Sequence, residues 1–145
     1  MSIGPRLIEI SEYTGKGYRP LVDYGEWRVA ILRYEDELAP ENINTMERHN
    51  ETDEVFVLLA GQCQLFIGVP NDDGGTEIEA VAMEPLKLYN IRKGVYHSHT
   101  LSQDATVLVV ENRNTGEGNS EKLVLRQEQM ERLMALASVQ NRHLV

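Results

Sequence analysis

The sequence has one cysteine, one tryptophan and two phenylalanines among 145 residues. A single cysteine, Cys63, closes no disulfide within the chain, and there is no CxxC pair for zinc or redox work. Cys63 reads as a small apolar strand residue, and its isolation fits the reducing cytoplasm. Basic residues are also scarce. Lys and Arg number 14 against 23 Asp and Glu, for a net charge of −9, and they form no stripe. Long-range repulsion therefore argues against nucleic acid or an anionic membrane surface as a partner. No apolar run approaches the ~20 residues that span a bilayer. The opening MSIGPRLIEI lacks a positive region followed by an apolar one, so no signal peptide is expected. A phosphate-cradling glycine loop, a dinucleotide fingerprint and a nucleophile elbow are absent as well.

What remains is the composition of an ordinary globular protein, 41% hydrophobic and 26% charged, of a length that suits one domain over 1–145. Gly15, Gly17 and Pro20 punctuate an irregular lead-in. EWRVAILRY (Glu26–Tyr34) reads as a strand, and EDELAPENIN (Glu35–Asn44) as a loop or short turn. Short strands then follow in series: EVFVLLA (Glu54–Ala60), CQLFIGV (Cys63–Val69), TEIEAVAM (Thr76–Met83), LKLYNI (Leu86–Ile91), HSHTL (His97–Leu101) and ATVLVVEN (Ala105–Asn112). The loop PNDDGG (Pro70–Gly75) marks a hairpin. Short strands with frequent turns predict an all-β sandwich or barrel. After a loop at 113–120, KLVL reads as one more strand. The period then changes: Met130, Leu133, Met134 and Ala137 lie at i, i+3, i+4, i+7, predicting a helix over Gln127–Gln140 whose methionines pack on the barrel or on a second subunit.

Chemistry concentrates in two segments. In MERHNETDEVFVLLAG, Glu47 and His49 are two apart and share a face if the chain is extended. Glu54 opens an apolar strand, where a carboxylate costs desolvation unless a metal ion or a cation such as Arg48, Arg92 or Lys93 meets it. In RKGVYHSHTL, Gly94 precedes His97 and His99, again two apart. Glu47, His49, Glu54 and His97 together make a mixed nitrogen and oxygen set for a divalent transition metal. His99 faces the same cavity as a general acid or base, or as a core histidine. The fourth histidine, His143, is expected in solvent. Arg33, in phase with Val29 and Ile31, is a candidate for holding an anionic substrate at the barrel mouth, with a plain surface position as the alternative. Tyr89 and Tyr96 are candidate rim residues or packing residues.

These two segments resemble the paired motifs of the cupin superfamily. His49 matches the second histidine of the first motif, Glu54 follows after four residues and Gly61 after six more. Gly94 and His97 match the second motif. The pattern departs at Glu47, where the family has its first histidine, at Glu41 for a glycine, at Arg92 for a proline, and at Leu101 for an asparagine. The resemblance covers residues 25–112 and implies a cupin-type antiparallel β-barrel (a jelly roll) with a C-terminal strand and helix over 121–140. It implies Mn, Fe, Ni or Zn at His49, Glu54, His97 and Glu47, with Glu47 or His99 moving a proton. It further implies a homodimer formed through edge strands, the N-terminal segment or the helix face. The expected function is a metalloenzyme that isomerises, epimerises or eliminates from a small sugar-like or carboxylate substrate. The alternatives are a dioxygenase, a non-catalytic ligand sensor or a dimerising structural module.

Overall fold

The structure, a computed structural model, describes the backbone of residues 3–142 and side chains through 138. The expectation for His143 lies outside the described residues. Ten strands are followed by one helix: β1 (Gly17–Tyr24), β2 (Trp27–Arg33), β3 (Thr45–His49), β4 (Glu54–Ala60), β5 (Cys63–Pro70), β6 (Thr76–Ala82), β7 (Leu88–Ile91), β8 (His97–Leu101), β9 (Thr106–Asn112), β10 (Ser120–Val124) and α1 (Gln127–Arg142). The acidic segment between β2 and β3 is two short 3-10 turns, Asp36–Leu38 and Pro40–Asn42.

The strands form two five-stranded antiparallel sheets, β1-β2-β9-β4-β7 and β10-β3-β8-β5-β6. They face each other as a jelly-roll barrel that is not closed by hydrogen bonds into a cylinder. Alternation decides what lies between them. On β4, Glu54, Phe56 and Leu58 are buried, and on β9 the buried positions are Val107, Val109 and Glu111. Phe56, Leu58, Leu65, Val107 and Val109 make the inner core with Ala30 and Leu32. Two charged residues, Glu54 and Glu111, thus continue the inward row of apolar side chains on adjacent strands, Val55 pairing with Val110.

A second core lies on the outer face of the β10-to-β6 sheet. Helix α1 covers Met46, Phe66 and Ile78 with Leu133 and Ala137. The helix face is rotated from the expected one. Met130 packs here with Leu136, but Met134 is 42% exposed, because the stripe that meets the sheet runs through positions 130, 133, 136 and 137. Among the described residues, the outer face of the other sheet has no such cover.

The N-terminal lead-in contains a strand that composition hid. β1 includes Pro20, which fits because β1 is at a sheet edge and its register shifts between Pro20 and Val22. Proline is tolerated where no ladder donor is required. Cys63 is in the inner core, and burial pushes its thiol up to about 12. The native protein is therefore expected to resist iodoacetamide at about pH 8 and to react only on unfolding; mass spectrometry showing native alkylation at the rate of an open thiol would contradict this burial.

Candidate metal centre

The site is built where three strands end at the same depth. His49 closes β3, Glu54 opens β4 and His97 opens β8. All three are buried. One ligand atom from each falls within a group in which all separations are below 4.8 Å. Glu54 Oε1 is 3.0 Å from His97 Nε2, and Glu54 Oε2 is 3.6 Å from His49 Nε2. The two imidazole rings stand edge-on, 5.3 Å between centroids. Glu54 meets neither Arg48, which pairs with Glu121 at 2.7 Å, nor Arg92, which pairs with Asp53 at 3.4 Å.

The far edges of both rings are occupied. His97 Nδ1 is 3.0 Å from the Val95 carbonyl. A carbonyl only accepts, so Nδ1 carries the proton and neutral His97 presents a lone pair at Nε2. That lone pair meets a carboxylate oxygen. Two acceptors at 3.0 Å repel unless a positive charge, a proton or a metal ion, is placed between or beside them. His49 Nδ1 is hydrogen-bonded to Ser120 Oγ at 2.7 Å, which turns Nε2 toward the same point. Fixing a histidine through its second nitrogen is how metal-ligating imidazoles are generally oriented. The donor set, two imidazoles and a carboxylate at contact distance, fits a divalent transition metal.

Glu111 borders this cluster at His49 and is not a candidate from the sequence. Its Oε1 accepts from Tyr18 Oη at 2.5 Å and from Arg28 at 2.7 and 3.2 Å. Its Oε2 lies 3.9 Å from His49 Nε2 and is buried without a hydrogen-bond partner. The signal was present in the alternation Val107, Val109, Glu111, which puts the carboxylate on the buried face. The same phase argument corrects the arginine. Arg33 lies on the outer face, donating to Thr106 Oγ1 at 2.7 Å; Arg28, in phase with buried Ala30 and Leu32, is the one that turns inward.

Glu47 and His99 take different places. Glu47 has a half-exposed side chain, and its Oε1 is 3.6 Å from His49 Nδ1, the ring edge facing away from Glu54. It stands at the cavity wall outside the three-residue group. His99 lines the same cavity and packs 5.7 Å from Phe56. Burial first, then His97, lowers its pKa to about 4, so it is a neutral imidazole at physiological pH, with one ring N–H and no second proton to give as an imidazolium. Tyr96 packs in the outer core under Arg48. The Tyr89 hydroxyl accepts from the Glu84 backbone.

The cavity above the cluster has a volume of about 700 Å³. Six carboxylates line it, Glu35, Glu37, Glu47, Glu54, Glu111 and Glu117, against two cations, Arg28 and Lys122. Arg28 is already paired with Glu111. The lining is thus net acidic.

These charges set a pH dependence. Burial and then the neighbouring Glu54 raise Glu111 to about 7, against Tyr18 and Arg28. A carboxyl raised on folding keeps a proton that the unfolded chain would release, so its contribution to stability is present below its ordinary range and lost as pH rises toward 7. His49 is raised, chiefly by its bond to Glu54; its contribution is lost as pH climbs through that raised value, the same direction. Glu54 is opposite. Burial pushes it up, but His49, His97 and Glu111 hold it well below the usual carboxylate range, so its contribution is lost only in acid. The chelator-treated protein is therefore expected to melt at progressively lower temperature from about pH 5 to about pH 8. Thermal melts rising across that window would overturn the assignment.

No protein-family model and no curated protein matches the sequence. Solved structures do. A cupin-2 domain-containing protein from Shewanella frigidimarina aligns with a TM-score of 0.50 at 18% identity, over 70% of this chain and 85% of that one. CapF, solved with the inhibitor 3-isopropenyl-tropolone, gives 0.53 at 13% identity over 79% of this chain but 34% of its own. Streptomyces PAC13 with uridine gives 0.50 at 10% identity, covering 82% and 96%.

Proposed function

We propose, from the cupin fold that the architecture and its solved likenesses establish, that this chain is a small metalloenzyme acting on an uncharged, sugar-like substrate by isomerisation, epimerisation or elimination. The observation that carries this reading is the convergence of His49, Glu54 and His97, with His97 Nε2 and Glu54 Oε1 3.0 Å apart, at the base of a 700 Å³ cavity. His49, Glu54 and His97 would hold a divalent ion, Mn, Fe, Ni or Zn. Such an ion supplies Lewis-acid polarisation of a carbonyl or hydroxyl oxygen.

The chain's own residues supply the rest. Glu47 stands at the wall, half-exposed, placed to take a proton from a carbon next to a polarised carbonyl. The carboxylate-rich lining repels an anionic substrate and offers acceptors to hydroxyl groups, which supports a polyol or sugar over a carboxylate. Leu32, Phe56 and Val109 in the lining give the apolar face on which a sugar ring rests. A fold neighbour that holds uridine, and is described as a nucleoside dehydratase, supports ligands of this size. We place the chain in a reducing compartment, supported by its one unpaired cysteine. We further propose a homodimer, supported by the uncovered sheet face with Leu88 75% exposed and by exposed Ile8 and Ile10 near the N-terminus.

The test is elemental analysis of protein purified without chelators, followed by NMR of metal-loaded protein with neutral aldoses, ketoses and sugar acids in D₂O. Near-stoichiometric metal and deuterium entry at a carbon beside a carbonyl are expected, with neutral sugars preferred over sugar acids. Absence of metal would overturn the reading. Saturable binding without exchange or elimination would replace it with a ligand sensor.

A further inference from the structure

Resting on the metal reading above, we propose that Glu111, on β9 and outside both motif segments, is the fourth protein ligand to the ion, in the place where the motif pattern points to position 47. Three observations lead there. First, the Glu111 carboxylate is divided in its duties. Tyr18 and Arg28 saturate Oε1, while Oε2 is buried and has no hydrogen-bond partner. An unmet carboxylate oxygen in a buried place is costly to keep; in the ion-free protein a proton shared with the neighbouring Glu54 relieves it, and a cation would take that proton's place.

Second, Oε2 points to the right place. It is 3.9 Å from His49 Nε2, the same nitrogen that faces Glu54 at 3.6 Å. Atoms bound to one ion at about 2.0–2.2 Å lie about 3–3.5 Å from one another. The Glu54 contacts at 3.0 and 3.6 Å are already near this spacing, and Glu111 Oε2 is less than about 1 Å outside it with respect to His49 Nε2. Glu111 is not among the residues whose ligand atoms all lie within 4.8 Å of one another, so ligation requires its carboxylate to move toward Glu54 and His97. Tyr18 and Arg28 hold the carboxylate by its other oxygen, so Oε2 stays aimed at the cluster.

Third, Glu47 is on the wrong edge of the same ring. Its nearest oxygen is 3.6 Å from His49 Nδ1, the nitrogen bonded to Ser120. One imidazole presents Nε2 to one ion; a carboxylate beside Nδ1 is across the ring from it. Two neutral imidazoles and two carboxylates then balance a divalent charge inside the barrel.

The test uses Co(II) as the probe, titrated into chelator-stripped full-length protein and followed by visible absorption and by competition with a chelator. Glu111→Gln is expected to weaken Co(II) binding at least about 10-fold and to alter the visible band. Glu111→Asp keeps the charge and the Arg28 pairing but withdraws the oxygen by one methylene, and is expected to change both readouts in the same direction; it decides the matter if Glu111→Gln does not fold. Glu47→Gln should stay within about threefold with an unchanged band. Glu111 variants that match the wild type, or a loss produced by Glu47→Gln instead, would overturn the proposal while leaving the three-residue site standing, provided His97→Ala still abolishes binding. A wild type that binds no Co(II) would remove the metal reading and this inference together.

Discussion

His97→Ala is expected to abolish binding of the proposed ion and any thermal stability that the ion confers. The reasoning is linkage. A ligand that binds only the folded chain, at 100 times its Kd, stabilises it by about 2.7 kcal/mol, and for a chain of this size each kcal/mol moves Tm by roughly 2–4 °C. Stripping the wild type with a chelator should therefore lower Tm by about 5–10 °C. The alanine variant should sit below that lower value and respond neither to chelator nor to added metal. Removing one of three closely spaced donors should cost at least about 100-fold in affinity, beyond the 10- to 100-fold typical of residues that only orient a ligand. In the ion-free protein His97 helps hold the buried Glu54 as a carboxylate, so removing the ring should itself cost about 1–3 kcal/mol and leave the ion-free variant melting below the ion-free wild type. Calorimetry that finds a large chelator shift persisting in His97→Ala would show that the stabilising ion, if any, binds elsewhere. A wild type with no chelator shift would mean that protons alone reconcile His97 with Glu54.

How much of this was legible in the sequence depends on the kind of signal. β4 was readable at both ends, Glu54–Ala60, because an apolar run lies between polar Asp53 and Gly61. β8 was readable for a similar reason, Gly94 before it and a turn after Leu101. Local composition carries such boundaries. β1 was hidden because Gly17 and Pro20 signal turns, while what makes a strand there is its position at a sheet edge, a fact about topology. Arg28 and Glu111 are a different case. Both follow from alternation within strands that were recognised, since Arg28 shares a face with Ala30 and Leu32 and Glu111 with Val107 and Val109. Arg33 attracted notice because it is in phase with Val29 and Ile31, but those residues cover the outer face. Two apolar faces on one strand leave the phase undetermined until the sheets are assembled. Glu47 was drawn to the metal by motif register, and only the ring orientation imposed by Ser120 sends its carboxylate to the other edge of His49.

The two motif glycines look equivalent in sequence, and replacing them with alanine is expected to have very different effects. Both have positive φ, +70° at Gly61 and +79° at Gly94, a conformation that costs an L-residue about 1–2 kcal/mol. At Gly94 that is all: a Cβ there would meet nothing within 4 Å. At Gly61 it would lie 2.5 Å from Ala105 Cα, 2.7 Å from Ala105 N and 2.9 Å from Asp104 C. These are backbone atoms of the turn between β8 and β9, which cannot swing aside as a side chain does. Ala105 is itself fully buried, so moving it disturbs the inner core, at a further cost of about 1–3 kcal/mol for overpacking. Gly61→Ala should therefore lose about 2–5 kcal/mol from a total that for a domain of this kind is about 5–15 kcal/mol, a drop in Tm of roughly 10 °C. Gly94→Ala should lose about 1–2 kcal/mol, or roughly 5 °C. Paired thermal melts in the presence of chelator, so that the metal contributes to neither, make the comparison. Equal losses at the two positions would mean that the turn of β4 into β5 does not press on Ala105 as the structure has it, and the contact would then have to be abandoned as the reason for glycine at position 61.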